Sequence, residues 1–316
     1  FTVPVHPNGY TVKVEVLDGS GQAISTSETD FPVGLGSDAH WVLCPSAPIV
    51  FVDDDAVKMM ESDGTGVRTI VAFDSPWQPK LSPDGTQVVF ADGSSHDLWV
   101  VDTDGANLRM ISTPENALGP VWSPDGSQIA YSGWTHYPDK TSRWSIYVIN
   151  ADGTGRYAVT TPMERVNDND PSWSPDGSRI AFRRHDQSPI GRDQADIYTV
   201  DAGGGAPTNV TNSGDLWPGW GPDWSPDGSS IAFGRQVAGT HNALFVIAPD
   251  GSDLRQLAAV PGMHVAFPTW SPDGLRVAFM GVNQNDGVWV VNADGTGLSQ
   301  IFSGPGWMPD WGWPEN

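Results

Sequence analysis

The chain has 316 residues, with 38 acidic against 16 basic side chains and a formal net charge of −22. That balance repels phosphate backbones and anionic membrane surfaces, and no run approaches the ~18 apolar residues of a spanning helix, so neither nucleic-acid binding nor membrane insertion is expected. A single cysteine, Cys44, excludes an internal disulfide and a thiolate metal cluster, while 36 Gly, 27 Pro and 15 Trp favour turns and strands over helices.

Residues 1–43 come first and lack the repeat that follows. Tyr10–Val16 alternates as a half-buried strand, and Asp18-Gly19-Ser20-Gly21 reads as a hairpin turn. A segment this short fits a partial immunoglobulin-like module or a flap. Phe1 is followed by neither a charged nor an apolar leader region, so no signal peptide is expected, and the segment reads as the continuation of something longer.

From residue 44 onward a unit recurs. Ser-Pro-Asp-Gly stands at 82–85, 123–126, 174–177, 225–228 and 271–274, and Trp122, Trp173, Trp224 and Trp270 precede the last four. Leu81 takes that place in the first copy, and Trp311 marks a sixth, degenerate one. The successive spacings of 41, 51, 51, 46 and 41 residues suit four-stranded propeller blades. Within each unit an apolar run such as Val277-Ala278-Phe279 follows the turn. A second run such as Val288-Trp289-Val290-Val291 then leads to an Asp-Gly turn, as at 294–295, and a last strand. Blade one has outer strands near 49–52, 56–61 and 67–71 but no innermost strand ahead of them, and a strand around Asp310–Trp313 is left over at the other end. The expected fold is all-β: a six-bladed β-propeller over 44–316, closed by pairing the C-terminal strand into blade one, because an unpaired edge invites aggregation.

The unit Trp-Ser-Pro-Asp-Gly-x-x-Ile-Ala-Phe, then Ile-Tyr-Val-x-x-x-Asp-Gly, resembles the TolB-type propeller repeat of the WD40-like class over roughly 45–313. Similar propellers occur in the periplasmic TolB family, in oligogalacturonate lyases and as the gating domain of prolyl-oligopeptidase-type peptidases. The resemblance implies a secreted or periplasmic protein. The mixed α/β domain that precedes the TolB propeller, and a hydrolase domain after it, are not expected within this sequence.

Strand order puts the Ser-Pro-Asp-Gly and Asp-Gly turns on one face and the variable connections on the other, where function concentrates in loops on a rigid scaffold. Trp77, Trp217, Trp220 and Trp307 with Arg165 fall on that loop face and form the candidate ligand-binding set, since indole rings beside charged groups suit a protein partner or a glycan. The resemblance to oligogalacturonate lyases implies a metal and a charge-stabilising arginine. For that reading the ligands are His185, His241 and His264, with Arg183 or Arg235 as the catalytic group. Asp168 and Asp170 are the calcium candidates on the loop face, while the Asp-Gly turns read as backbone chemistry. No G-x-S-x-G elbow or phosphate-binding glycine loop occurs.

The expected function is an extracytoplasmic binding propeller engaging a protein or glycan, with no cofactor assigned beyond a candidate divalent metal, as a monomer or part of a larger assembly. Two alternatives stand beside it: a polysaccharide lyase on uronic-acid glycans using a divalent metal, calcium or manganese, and the propeller part of a multidomain protein.

Overall fold

The computed structural model describes residues 10–17, 23–31, 47–53, 55–111, 116–136, 142–161, 164–186, 194–213, 221–237, 242–260, 262–282, 286–304 and 307–312. The chain divides into two compact units, 1–43 and 44–316. In the first, Tyr10–Leu17 pairs antiparallel with Ala23–Phe31, with a register shift between Val16 and Leu17; the turn expected at 18–21 lies outside the described residues.

The second unit is six four-stranded antiparallel sheets. Blade one runs from Trp307–Asp310 through Ile49–Val52 and Ala56–Met60 to Arg68–Ala72, and blade two comprises Pro76–Leu81, Gln87–Asp92, Leu98–Asp102 and Arg109–Ile111. Blades three and four begin at Asn116–Trp122 and Val166–Trp173; blades five and six begin at Asp223–Trp224 and His264–Trp270. The innermost strand of blade one ends at Asp310, ahead of the 310–313 stretch expected from the sequence, and Trp311 follows it as a buried anchor.

The recurring turns carry their own capping chemistry. In each Ser-Pro-Asp-Gly turn the Gly N–H bonds back to the Ser carbonyl, as from Gly126 to Ser123 at 2.8 Å. The Gly sits in the left-handed region, φ 69° at Gly126, which costs a residue without Cβ little. The Asp carboxylate accepts the Ser hydroxyl and a backbone N–H two residues on: Ser123 Oγ donates to Asp125 Oδ1 at 2.6 Å and Ser127 N at 3.0 Å. An Asp here satisfies donors that would otherwise be orphaned where the chain reverses.

Each repeat Trp packs backward onto the preceding blade. Trp122 shares a core with Val89, Leu98, Val100 and Ile111 of blade two as well as Ile129 and Tyr131 of its own blade. Leu81, the residue in place of a Trp, does the same more modestly between Val50, Val57 and Met59 of blade one and Val88 of blade two. The ring closes where Trp311 meets Ala278, Val288 and Val290 of blade six beside Ile49 and Phe51. Burying an indole this way is worth roughly 4–6 kcal/mol from its area. Fourth-strand arginines add ties at the rim: Arg68 to Thr103 O (2.7 Å), Arg109 to Ala151 O (3.1 Å) and Arg255 to Ala293 O (3.0 Å), each on the next blade.

A second repeat runs down the axis. Pro79, Pro120, Pro171, Pro222, Pro268 and Pro309 each stand two residues before the Trp position and together line the central channel. The residue ahead of each has positive φ: Gln78 50°, Gly119 61°, Asp170 56°, Gly221 54°, Phe267 48° and Met308 56°. In five blades the strand register shifts at this point, the signature of a bulge that accommodates a proline within a ladder. The side chain after the proline staples neighbouring blades wherever it carries an acceptor. Trp224 N donates to Ser172 Oγ (3.3 Å), Trp270 N to Asp223 Oδ2 (2.8 Å), Trp311 N to Thr269 Oγ1 (3.2 Å) and Leu81 N to Asp310 Oδ2 (2.9 Å). Lys80 and Val121 fill this place in blades two and three, and neither side chain can accept.

Candidate functional site

The bulges turn the residues ahead of each proline toward the axis and leave a chamber of only about 40 Å³, bounded by Gln78, Asp170, Phe267 and Met308 with Gly119 and Gly221. That is space for a few waters. Lys80, Asp170 and Asp223 are its charged lining residues. Lys80 Nζ meets Asp310 Oδ1 at 2.8 Å, and Asp223 receives Trp270 N and, at 3.3 Å, Ser172 Oγ. Burial pulls the Lys80 ammonium down, but Asp310, Asp223 and Asp170 overcome that and raise it. Asp223 retains some surface onto the narrow channel yet is shielded by protein around it. Burial, only partly offset by Lys80, pushes its carboxyl up to about 6.

The larger concavity opens on the loop face between blades six, one and two. It encloses about 680 Å³, within the range of ligand sites, and is lined by Val52, Asp55, Ser75, Pro76, Trp77, Phe267, Met280, Val282, Trp307 and Met308. Trp77 and Trp307, both expected at the ligand-binding surface, meet here and remain 40% and 38% exposed, whereas Trp122, Trp173, Trp224, Trp270 and Trp311 are buried. Trp77 is seated by Gly93: a Cβ there would lie 2.9 Å from Ser75 Oγ and 3.3 Å from Trp77 Cδ1. The floor is soft and apolar. Met308 Sδ accepts Gln78 N at 3.3 Å and Met280 Sδ accepts Met308 N at 3.4 Å, and the polarizable thioethers adapt to irregular shapes.

The remaining expected residues are distributed elsewhere. Arg165 immediately precedes blade four with φ 63°, its guanidinium half-exposed and 3.7 Å from Glu164, and it does not line this cavity. Trp217, Trp220 and His241 lie outside the described residues. His185 stands on the second strand of blade four and His264 at the start of blade six; among the described residues no three His, Cys, Asp or Glu side chains group closely enough to hold a metal ion.

Each calcium candidate is held by an arginine of the adjacent strand. Arg184 grips Asp168 through both oxygens, at 2.7 and 2.8 Å, and Asp168 is 2% exposed. Despite the burial, this pairing raises the Arg184 guanidinium. Arg183 Nε donates to Asp170 Oδ2 at 3.1 Å, and Gln78 Nε2 donates to the other oxygen at 3.1 Å. Arg235 lies over the Phe245 ring at 5.6 Å, and burial lowers its guanidinium. Elsewhere on this face Trp134 and Trp144, directly opposite across a hairpin, stack at 5.8 Å and 10°.

Sequence reasoning passed over Asp55, Phe267, Met280 and Met308. For Phe267 and Met308 a signal existed: each precedes the recurrent proline at the spacing of the Trp repeat. Asp55 and Met280 carry no such mark.

The sequence matches the TolB beta propeller domain family over residues 47–314. Comparison with curated proteins finds no match. Among solved structures, TolB from Acinetobacter baumannii is similar with a TM-score of 0.67 at 17% identity, over 98% of this chain and 81% of that one. A chain of the nidogen/laminin complex has a TM-score of 0.65 at 14% identity, over 84% and 97%. The oligogalacturonate lyase from Vibrio parahaemolyticus has 0.54 at 14%, over 82% and 73%. At these identities the likeness is one of fold.

Proposed function

The chain belongs to the TolB beta propeller family, and from that premise we propose that it is an extracytoplasmic binding module that engages a protein partner through the loop face. The observation that carries this reading is the pairing of two half-exposed indoles, Trp77 and Trp307, over an apolar cavity of about 680 Å³. Exposed aromatics at the rim of a preformed concavity are what interfaces use for anchoring, because large rigid rings bury much area at little entropic cost. The similar fold of a chain from the complex of nidogen with laminin supports a protein partner, and the kinship with periplasmic TolB supports the location outside the cytoplasm. Residues 1–43 are proposed to extend this module as an immunoglobulin-like fragment or flap.

The test is binding of extracytoplasmic proteins and of a glycan panel to the full chain. The comparison sets the wild type against Trp77→Ala/Trp307→Ala and against a short-turn-face control, Asp125→Ala. The expected result is at least about tenfold weaker binding in the double Trp variant, the scale of an interface hot spot, and no change in the control. Equal binding by all three proteins overturns the assignment to this face. The lyase alternative is tested by incubation with polygalacturonate and divalent metals, read as absorbance of 4,5-unsaturated products; their appearance replaces the binding reading with an enzymatic one.

A further inference from the structure

The lining of the loop-face cavity specifies more than an anchoring site. Its walls are Val52, Pro76, Met280, Val282 and Met308 together with the two indoles, and among the described residues that line it Ser75 and Asp55 alone have polar side chains beyond the indole N–H groups. Asp55 is exposed at the edge of the cavity, and no described lining residue is cationic. The neighbouring lysine, Lys58, is held by Asp53. A sugar ring requires several convergent hydrogen-bond partners, which this wall does not supply. An anionic ligand meets Asp55 and the field of a chain carrying a net charge of −22. A long basic side chain meets every feature: its aliphatic stem lies along apolar surface, its cationic head is attracted by indole faces, and a carboxylate stands at the exit.

We infer that the cavity receives an arginine or lysine of a partner protein, flanked by an apolar residue that fills the methionine floor. The inference rests on the loop-face reading and names the chemistry of its partner. The acidity of the whole chain acts in the same direction, drawing a basic segment in before contact and making the association sensitive to salt.

The experiment uses the full chain labelled with 5-fluorotryptophan, with the Trp77 and Trp307 fluorine resonances assigned from Trp77→Phe and Trp307→Phe. Two capped pentapeptides, Gly-Leu-Arg-Leu-Gly and Gly-Leu-Gln-Leu-Gly, are titrated against it, alongside a galacturonate oligomer. The arginine peptide is expected to move both resonances and the glutamine peptide to bind about threefold to tenfold more weakly. Asp55→Asn is expected to erase most of that difference, the scale of one exposed cation–π and ion-pair contact. If the glutamine peptide binds as well as the arginine peptide, or Asp55→Asn leaves the preference intact, the inference is overturned while the loop-face reading stands. If the galacturonate oligomer alone moves the two resonances, the partner is a glycan and the inference fails. If no probe moves them, the basic-side-chain assignment fails, and the loop-face reading is decided separately by the Trp77→Ala/Trp307→Ala comparison.

Discussion

On the short-turn face, Asp84, Asp125, Asp176 and Asp227 each accept a serine hydroxyl and a backbone N–H inside their own turn. In the channel and at the loop face, Asp310 and Asp223 bind groups of the next blade, and Asp168 and Asp170 take up Arg184 and Arg183 from the adjacent strand. The same residue type therefore does local work at one end of the ring and tertiary work along the axis and at the other end. The former is repeated by the fold and nearly independent of its neighbours; the latter ties strands together, between blades at Asp310 and Asp223 and within blade four at Asp168.

Substitution separates the two uses. The largest loss is expected for Asp310→Ala, which strips Leu81 N and Thr269 of an acceptor and leaves the Lys80 ammonium facing only Asp223 and Asp170; urea denaturation is expected to show a loss of about 4 kcal/mol. Asp168→Ala leaves Arg184 unpaired in a nearly closed site and is expected to cost about 3 kcal/mol in the same measurement. Next comes pH. The Asp223 carboxyl is raised to about 6, so its contribution to stability is fully present below the unfolded value near 3.8 and is lost as pH rises through 6. The short-turn carboxyls at 84, 125, 176 and 227 are lowered by their serine hydroxyls. Their contribution is present above 3.8 and is lost as pH falls through their folded values. Asp223→Asn is expected to remove about 1–3 kcal/mol of pH dependence between pH 4 and 6 and leave the acid limb in place. A profile unchanged by Asp223→Asn breaks the contrast. Gly93→Ala pushes on Trp77 and Ser75 and is expected to cost about 1 kcal/mol while weakening loop-face binding. Asp125→Ala removes one self-contained turn acceptor, with an expected loss below about 1 kcal/mol by thermal denaturation.

The blades were legible because their signals are local and repeated. Trp-Ser-Pro-Asp-Gly fixes a turn and the inter-blade anchor at one stroke, and the spacing between copies fixes the number of blades. The boundaries moved least where a turn residue marked them, as at Ile49–Val52, and most at Trp307–Asp310, where no Ser-Pro-Asp-Gly follows. Trp77 and Trp307 were legible as loop-face residues because the repeat puts each in the connection that leads into an innermost strand. Their joint cavity was not, since its floor joins Phe267 and Met280 of blade six to Met308 of blade one, and nothing in the repeat marks Met280 or the meeting of the two blades there. Nor did the sequence expose that Arg183 and Arg184 are held by Asp170 and Asp168, a pairing set by strand register across the blade-four hairpin. The proline two residues ahead of each Trp was visible throughout; its meaning appears only when six of them converge on one axis.

The pairing of Trp307 with Val52 also sets an order of events in time. A ribosome delivers ~5–20 residues per second, so the edge of Ile49–Val52 emerges early and waits on the order of tens of seconds for the strand that covers it. For that interval the nascent chain carries an open, fully apolar sheet edge, the kind of surface that recruits a second copy of itself. Blades two to six need only short-range pairings and complete in sequence as they appear. The ring is thus complete only once residues 307–310 pair with Ile49–Val52, so closure is the last pairing that the propeller makes as the chain is synthesised.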